Sequence, residues 1–288
     1  MMSTIRSREA AELVADKNVP ELRVTPAEAA RLREAGAVVA ECRRAFAAHA
    51  GGLLGVVAAR GEGFADWRHY PAGEVYDPES HAQYFYHVHP AAERRAREHG
   101  HFHTFLRADG MPSGVAPLVL PEAAVANASP PQAAPIKHGA RDEISHLVAI
   151  ALDGRGEPIR LFTTNRWVTG ETWYRADDVV RMLDCFSLGG ADGCALLNRW
   201  VGAIVALFRP QVAALLQLRD DTVMSWRRRR RTNIFEDTRI EVTSSFDIDL
   251  EAQLAFLDMH CPELAPGFPM RGARLPLKAD GWGEGHAN

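Results

Sequence analysis

The chain concentrates its histidines in one stretch, and this constrains the fold more than any other feature: seven of the twelve lie within residues 67–107. Four of the seven form two pairs, His87-Val-His89 and His101-Phe-His103. Both pairs lie in runs rich in aromatic and β-branched residues, which predict strands. Side chains two apart share one face of a strand, so each pair directs two imidazoles the same way. We therefore predict that four imidazoles converge if the two strands pair.

The two pairs favour a metal site, since neutral imidazole is the commonest protein ligand for zinc, iron and copper. A third ligand must come from another element, and three sources are open: the other pair, His146 on a third predicted strand, or the carboxylate of Glu93. His146 is predicted to share its strand face with Val148 and Ile150. The predicted metal ligands are His87, His89, His101, His103 and His146.

Three protein ligands without a thiolate leave an open coordination position, which favours catalysis over a purely structural role. We predict a metal-dependent enzyme acting on a small molecule, with iron or copper redox chemistry slightly favoured over zinc hydrolysis. The candidate catalytic residues are Glu74, Tyr86 and Arg107. Glu74 would serve as a base or as an anchor for imidazole N–H groups, and Arg107 would bind a substrate carboxylate. Tyr86 faces away from His87 if its strand is regular, which also allows simple core packing.

Haem is the alternative cofactor, in a non-catalytic haem- or metal-binding protein for storage or sensing. One axial histidine, aromatic walls such as Phe85 and Phe102, and an arginine for a propionate would suffice. The sequence has no C-x-x-C-H, which argues against covalent attachment. Four histidines exceed what haem needs, so a directly bound transition metal is preferred.

The remaining pattern predicts an α+β protein with a mainly antiparallel sheet and packed long helices. Strands are predicted near residues 83, 101, 144, 158 and 240. Asp153-Gly-Arg-Gly156 predicts a hairpin between the third and fourth of these strands. A helix over 26–50 begins with the capping box Thr25-Pro-Ala-Glu28. A second helix is predicted over 194–218, where Pro210 would introduce a kink.

The connections are less regular. Residues 90–100, between the two His strands, predict one or two helical turns and allow either antiparallel pairing or a crossover. Residues 66–81 predict a structured loop, and 109–135 a long irregular connection. We expect a single domain in three parts: an N-terminal helical segment over 1–60, an α+β core with the His-rich site over 61–260, and an extended C-terminal arm over 261–288.

The composition is that of an ordinary globular chain of 288 residues, 47% hydrophobic with a formal net charge of −4. Neither an apolar run of about 18 residues nor an export signal is evident, so a cytoplasmic location without a membrane partner is expected. The five arginines Arg227–Arg231 favour a solvated helix face, and nucleic-acid binding is not expected of this acidic chain. The expected partner is a small-molecule substrate, and a homo-oligomer is left open.

Two short motifs resemble known metal sites. The seven residues His87-Val-His-Pro-Ala-Ala-Glu93 are similar to the first half of the cupin metal motif, without its flanking glycines or its second half. His101-Phe-His103 resembles the His-x-His strand ligands of the alpha carbonic anhydrases.

A longer block resembles an uncharacterised family of bacterial proteins that carries a domain-of-unknown-function label. The block runs from His69-Tyr-Pro71 through His103-Thr-Phe-Leu-Arg107 to Thr163-Thr-Asn-Arg-Trp167, about half of the chain. The resemblance implies a bacterial source and a shared site, and it implies no particular reaction.

Overall fold

A computed structural model describes residues 24–58, 63–118, 143–230 and 233–260. These residues contain a six-stranded antiparallel sheet in which each strand pairs with its neighbour in sequence. The strands are β1 Tyr70–Tyr76, β2 Ala82–His87, β3 Glu98–Arg107, β4 Ile144–Asp153, β5 Pro158–Thr164 and β6 Val242–Asp247. The α+β class predicted from the sequence is confirmed.

Seven α-helices accompany the sheet within the described ranges. They are α1 Pro26–Phe46, α2 Gly52–Ala58, α3 Arg166–Thr169, α4 Ala176–Leu183, α5 Ala195–Leu207, α6 Arg209–Arg230 and α7 Leu250–His260. The capping box predicted for α1 is present, because Thr25 Oγ1 accepts from the Glu28 backbone N–H while the Glu28 side chain accepts from the Thr25 backbone N–H. The predicted helix over 194–218 is broken beside Pro210, and α5 and α6 lie at 68° to each other.

One face of the sheet forms the main hydrophobic core with the helices. The Phe102 ring packs 5.8 Å from that of Trp200 on α5, and the Tyr84 hydroxyl donates to Asn198 Oδ1 on the same helix at 2.7 Å. Phe46 of α1 also packs against Trp200, with ring centroids 6.4 Å apart. Apolar side chains therefore cover this face, whereas His87, His101 and His103 lie on the other face.

Two predictions for the connections are wrong. The segment expected to be a loop contains β1, which pairs with β2 and adds an edge strand to the sheet. Residues 90–100 contain turns but no helix, and their last residues belong to β3. The two His strands are antiparallel, which settles the alternative that the sequence left open.

The predicted face of His146 is also wrong, because β4 contains a bulge. Thr104 of β3 pairs with Val148, and the next residue, Phe105, pairs with His146, so Leu147 is an extra residue of β4. A bulge moves the following side chains to the other face. His146 therefore lies on the histidine face, opposite to Val148.

Several expectations fall on residues outside the description. The structure does not describe residues 1–23, 119–142 and 261–288. These ranges include the expected C-terminal arm and most of the irregular connection predicted over 109–135. The three-part division of the chain stays a prediction. Among the described helices, none alone is long and apolar enough to cross a membrane, and α5 with α6 meets these criteria only as a bent pair.

Candidate metal centre

The pairing of β2 with β3 places the two His strands in a fixed register. His87 lies opposite His101, Phe85 opposite His103, and Gln83 opposite Phe105. These side chains share one face of the sheet, as their spacing along the sequence predicts. The structure thus brings the first histidine of one pair beside the first histidine of the other.

Three histidines converge on one point. One ligand nitrogen from each of His87, His101 and His103 lies within 4.8 Å of the other two. Nε2 of His87 is 2.7 Å from Nε2 of His101. All three side chains are buried, with at most 9% of their surface exposed. We call these residues the triad.

A buried carboxylate orients the ring of His101. Nδ1 of His101 lies 2.8 Å from Oε1 of Glu98, and a carboxylate can only accept, so this nitrogen donates. The other oxygen of Glu98 accepts from Arg160 at 2.6 Å. Burial by itself would raise the pKa of Glu98, but the bonds to His101 and Arg160 outweigh it and lower the pKa to about 2. Glu98 is therefore ionised, and the outward nitrogen of His101 is Nε2.

Residue spacing did not indicate Glu98, because residues three apart on a regular strand lie on opposite faces. Its register with β4 explains the contact. Glu98 pairs with Asp153, whereas Gly100 pairs with Leu152, so β3 has a bulge at His99. The extra residue brings Glu98 to the face that carries His101.

His146 supports the triad rather than joining it. Its Nε2 lies 3.0 Å from Nδ1 of His103, which leaves Nε2 of His103 for the centre. Burial, with a smaller contribution from the positive charge of Arg219, lowers the pKa of His146 to about 3. A neutral His146 can accept the hydrogen bond from His103.

Two of the three triad residues, His87 and His103, are held neutral. Burial lowers the pKa of His87 and that of His103 well below the usual range, and the neighbouring His101 adds to the effect for both. A metal ion requires the neutral imidazole, because the protonated ring has no lone pair to offer. The desolvated rings are therefore in the protonation state that binds a cation.

His89 lies at the edge of the triad. Its ring centroid is 4.9 Å from that of His87 and 5.0 Å from that of His101, and Trp67 packs on it at 4.2 Å. It falls outside the convergent set of three. Burial, followed by the effect of His101, lowers the pKa of His89 to about 4.

The candidate catalytic residues lie in two places. Glu74 and Arg107 belong to a buried hydrogen-bonded chain that ends at His69, a residue that strand periodicity did not indicate. Tyr86 lies on the opposite face of the sheet, where its hydroxyl bonds Nδ1 of His99 at 2.7 Å. The structure does not bring Tyr86 to the triad, because successive residues of a regular strand point to opposite faces.

A cavity of about 620 Å³ opens beside the triad. Its lining includes the three triad residues, His69, His89 and Glu93, with aromatic walls formed by Trp67, Phe85, Phe105, Phe162 and Trp167. The Phe162 ring contacts the triad, with its centroid 5.0 Å from that of His101. The guanidinium carbon of Arg160 lies over the Phe162 ring, 4.1 Å from its centroid. A volume of this size suits a small molecule.

The arginine run lies at the C-terminal end of α6, and its described arginines are not among the residues that line this cavity. Arg227–Arg230 form its last turn, and Arg231 lies outside the described residues. Cations at a helix C-terminus are favoured by the helix dipole. The predictions about partners and cellular location stay predictions.

A family model described as a domain of unknown function, DUF6969, matches residues 33–248. The match includes all six strands, the triad, His69 and Glu98. The comparisons with curated proteins and with solved structures found no match.

Proposed function

We propose that this chain, which belongs to the DUF6969 family, is a metal-dependent enzyme whose mononuclear centre is held by His87, His101 and His103. The observation that carries the proposal is the convergence of three buried imidazole nitrogens within 4.8 Å on the wall of a cavity. Neutral imidazoles in such an arrangement are typical ligands of zinc, iron and copper.

The spacing of the nitrogens fits a metal after a small adjustment. Two imidazoles on a tetrahedral ion, with bonds of about 2.05 Å, have their nitrogens about 3.3 Å apart. The corresponding distance between His87 and His101 is 2.7 Å. A small rotation of one ring would admit the ion and replace the hydrogen bond between the two nitrogens.

The surroundings support the same interpretation. Ligating histidines almost always donate their second N–H to a carboxylate or another acceptor, which fixes the ring and increases its basicity. Glu98 accepts the hydrogen bond from Nδ1 of His101, and His146 can accept one from Nδ1 of His103. Two of the three proposed ligands thus have an acceptor on the side away from the centre.

The open side of the centre supports catalysis on a small molecule. Three protein ligands leave at least one position free, and the triad lines a cavity that also contains aromatic side chains. A purely structural site would be closed by a fourth protein ligand. A set of three imidazoles suits zinc as well as iron or copper, and redox chemistry with iron or copper is slightly favoured over zinc hydrolysis because no carboxylate belongs to the convergent group as a base.

Haem is less well supported than direct ligation. A haem iron takes one or two axial ligands on opposite sides of a flat ring. His87, His101 and His103 instead approach one point from one side, which leaves no plane for the ring. This difference favours a single ion.

Metal analysis and absorption spectroscopy of the purified protein test the proposal. We expect about one transition-metal ion per chain and no Soret band, and His101→Ala and His103→Ala should each lose most of the metal while remaining folded. His49→Ala, which removes an exposed histidine, is the matched control and should retain it. Full metal content in both triad variants would show that the metal binds at another site. A Soret band would show that the protein binds haem.

An activity screen separates an enzyme from a storage protein. Metal-loaded protein is tested for oxygen consumption with phenolic substrates and for hydrolysis of chromogenic esters, beside His101→Ala. We expect turnover in one of the two assays that is lost with the metal. Equal turnover by wild type and His101→Ala would contradict a metal-dependent activity.

A further inference from the structure

We propose that His69 is the hydrogen-bonding residue for the ligand at the open position of the metal centre, and that this ligand is a protic molecule. The proposal rests on the proposed function, since it concerns the same cavity. It assigns a binding role to His69 and positioning roles to Glu74, Gln83 and Arg107.

The ring of His69 lies beside the triad without belonging to it. It stacks on Phe85 with ring centroids 3.7 Å apart and planes inclined by 8°, and its centroid is 5.7 Å from that of His87. It lines the cavity and is 15% exposed. His69 is therefore close enough to contact a molecule bound at the triad.

One nitrogen of this ring is already engaged. Nδ1 lies 2.8 Å from Oε1 of Glu74, and this nitrogen must donate because a carboxylate only accepts. In the neutral ring Nε2 then carries the lone pair and acts as an acceptor. Among the described residues, none is hydrogen-bonded to Nε2.

The position of Glu74 is itself fixed by two buried side chains. The Gln83 amide donates to Oε2 of Glu74, and Arg107 Nε donates to Oε1 of Gln83 at 2.7 Å. Gln83 is fully buried and Arg107 is 2% exposed. Burying charged and amide groups costs free energy unless each is hydrogen-bonded, so such a chain holds its members in one arrangement.

The backbone at Glu74 supports the same view. Glu74 has φ of +61°, a left-handed conformation that costs a residue with a side chain about 1 kcal/mol or more. Such conformations persist where the surrounding contacts determine them, and they are enriched at functional sites. In this conformation the Glu74 carboxylate is hydrogen-bonded to His69 and Gln83.

The chemistry of the open acceptor defines the ligand. An imidazole lone pair on a ring that lines the cavity accepts from an O–H or N–H group, and it has no favourable contact with an aprotic ligand of the same shape. The site therefore fits a molecule that binds the metal and carries a proton on the bound atom or on a neighbouring oxygen or nitrogen. Alcohols, phenols, hydroxamic acids and water belong to this class.

The test uses cobalt(II)-loaded protein and two probes. Acetohydroxamic acid and its N-methyl derivative both chelate metals through two oxygens, and only the parent compound has an N–H group beside them. Binding of each is followed through the cobalt absorption bands. We expect wild type to prefer the parent compound, and His69→Phe, which keeps a ring on Phe85, to bind the parent about fivefold more weakly with unchanged affinity for the N-methyl probe.

Glu74→Gln tests the positioning role, because it leaves the His69 ring in place. We expect it to reduce the preference for the parent compound without changing cobalt content, whereas Glu79→Gln, an exposed neighbour, retains the preference. If His69→Phe does not fold, His69→Leu, which also lacks an acceptor, replaces it in the comparison.

The outcomes separate the two proposals. An equal preference for the parent probe in wild type and His69→Phe would overturn the role of His69 and leave the metal centre intact. Absence of any preference in wild type would overturn the assignment of a protic ligand. A wild-type protein that binds no cobalt would overturn both proposals.

Discussion

Nε2 of His87 lies 2.7 Å from Nε2 of His101, across the pairing of β2 with β3. Two imidazole nitrogens at this distance need a proton between them, since two lone pairs would repel. His101 already donates from Nδ1 to Glu98, so in two neutral rings the shared proton belongs to His87. A metal ion at Nε2 of His87 would require the neutral ring to carry its proton on Nδ1 instead, so a metal site and a hydrogen-bonded pair can occupy the same position.

A metal ion that binds the triad should stabilise the fold. A ligand that binds only the native state adds about 4 kcal/mol when its concentration is about a thousandfold above its dissociation constant. We expect added cobalt or zinc to raise the melting temperature of the metal-free protein by several degrees, measured by scanning calorimetry. His101→Ala should show no comparable increase, and an equal increase in that variant would indicate binding elsewhere.

Glu98→Gln should weaken both the metal centre and the fold. The substitution removes the charged acceptor of His101 and breaks a buried pair with Arg160, whose side chain is 8% exposed. We expect metal affinity to fall about 10- to 100-fold and the free energy of unfolding to fall by about 3 kcal/mol. Metal titration and urea denaturation measure the two effects.

Glu41→Gln is the matched control for this substitution. Glu41 forms an exposed pair with Arg199, and water screens that pair. We expect metal affinity and the free energy of unfolding to stay close to those of wild type. Similar losses in both variants would show that the effect of Glu98→Gln is not specific to the site.

The buried carboxyl group of Glu171 should make stability depend on pH. Its Oε2 accepts from the His146 backbone N–H at 2.7 Å, and its Oε1 has no partner among the described residues. Burial raises the pKa of Glu171 from about 4.5 to about 7. Between these pH values the unfolded chain loses this proton while the native state keeps it, so the free energy of unfolding falls as pH rises, by about 3 kcal/mol in total.

Glu171→Gln should remove this contribution. The amide can accept the same hydrogen bond and cannot ionise, so we expect a flatter profile of unfolding free energy between pH 5 and 8, with the variant gaining relative to wild type at the upper end. Urea denaturation of metal-free protein at a series of pH values gives the profile. Parallel profiles for the two proteins would contradict an elevated pKa at Glu171.

Tyr86→Phe should leave the metal centre unchanged. Tyr86 lies on the helix-covered face, and its hydroxyl bonds only His99 among the contacts described. We expect a loss of about 1 kcal/mol in the free energy of unfolding, from the broken hydrogen bond, with unchanged metal content and activity. A loss of activity with retained metal would restore the catalytic role that the sequence suggested.

The sequence predicted most of the regular structure. Five strands, the capped helix α1 and the hairpin after β4 follow from residue periodicity and turn chemistry, which are local properties. The edge strand β1 was missed because Pro71 and Gly73 are typical of loops, and only its pairing with β2 makes the segment a strand. That pairing sets Tyr70 opposite Tyr86 and so brings His69 next to Phe85 and His87.

The sequence by itself determined that His101 shares a face with His103, because the period of a strand is two, whereas His89 lies beyond the end of β2. Only the tertiary structure decided which histidines meet. The register selected His87, His101 and His103, a bulge at His99 brought Glu98 to His101, and a bulge at Leu147 turned His146 towards His103. Register and bulges depend on the packing of whole strands, so residue spacing cannot determine them.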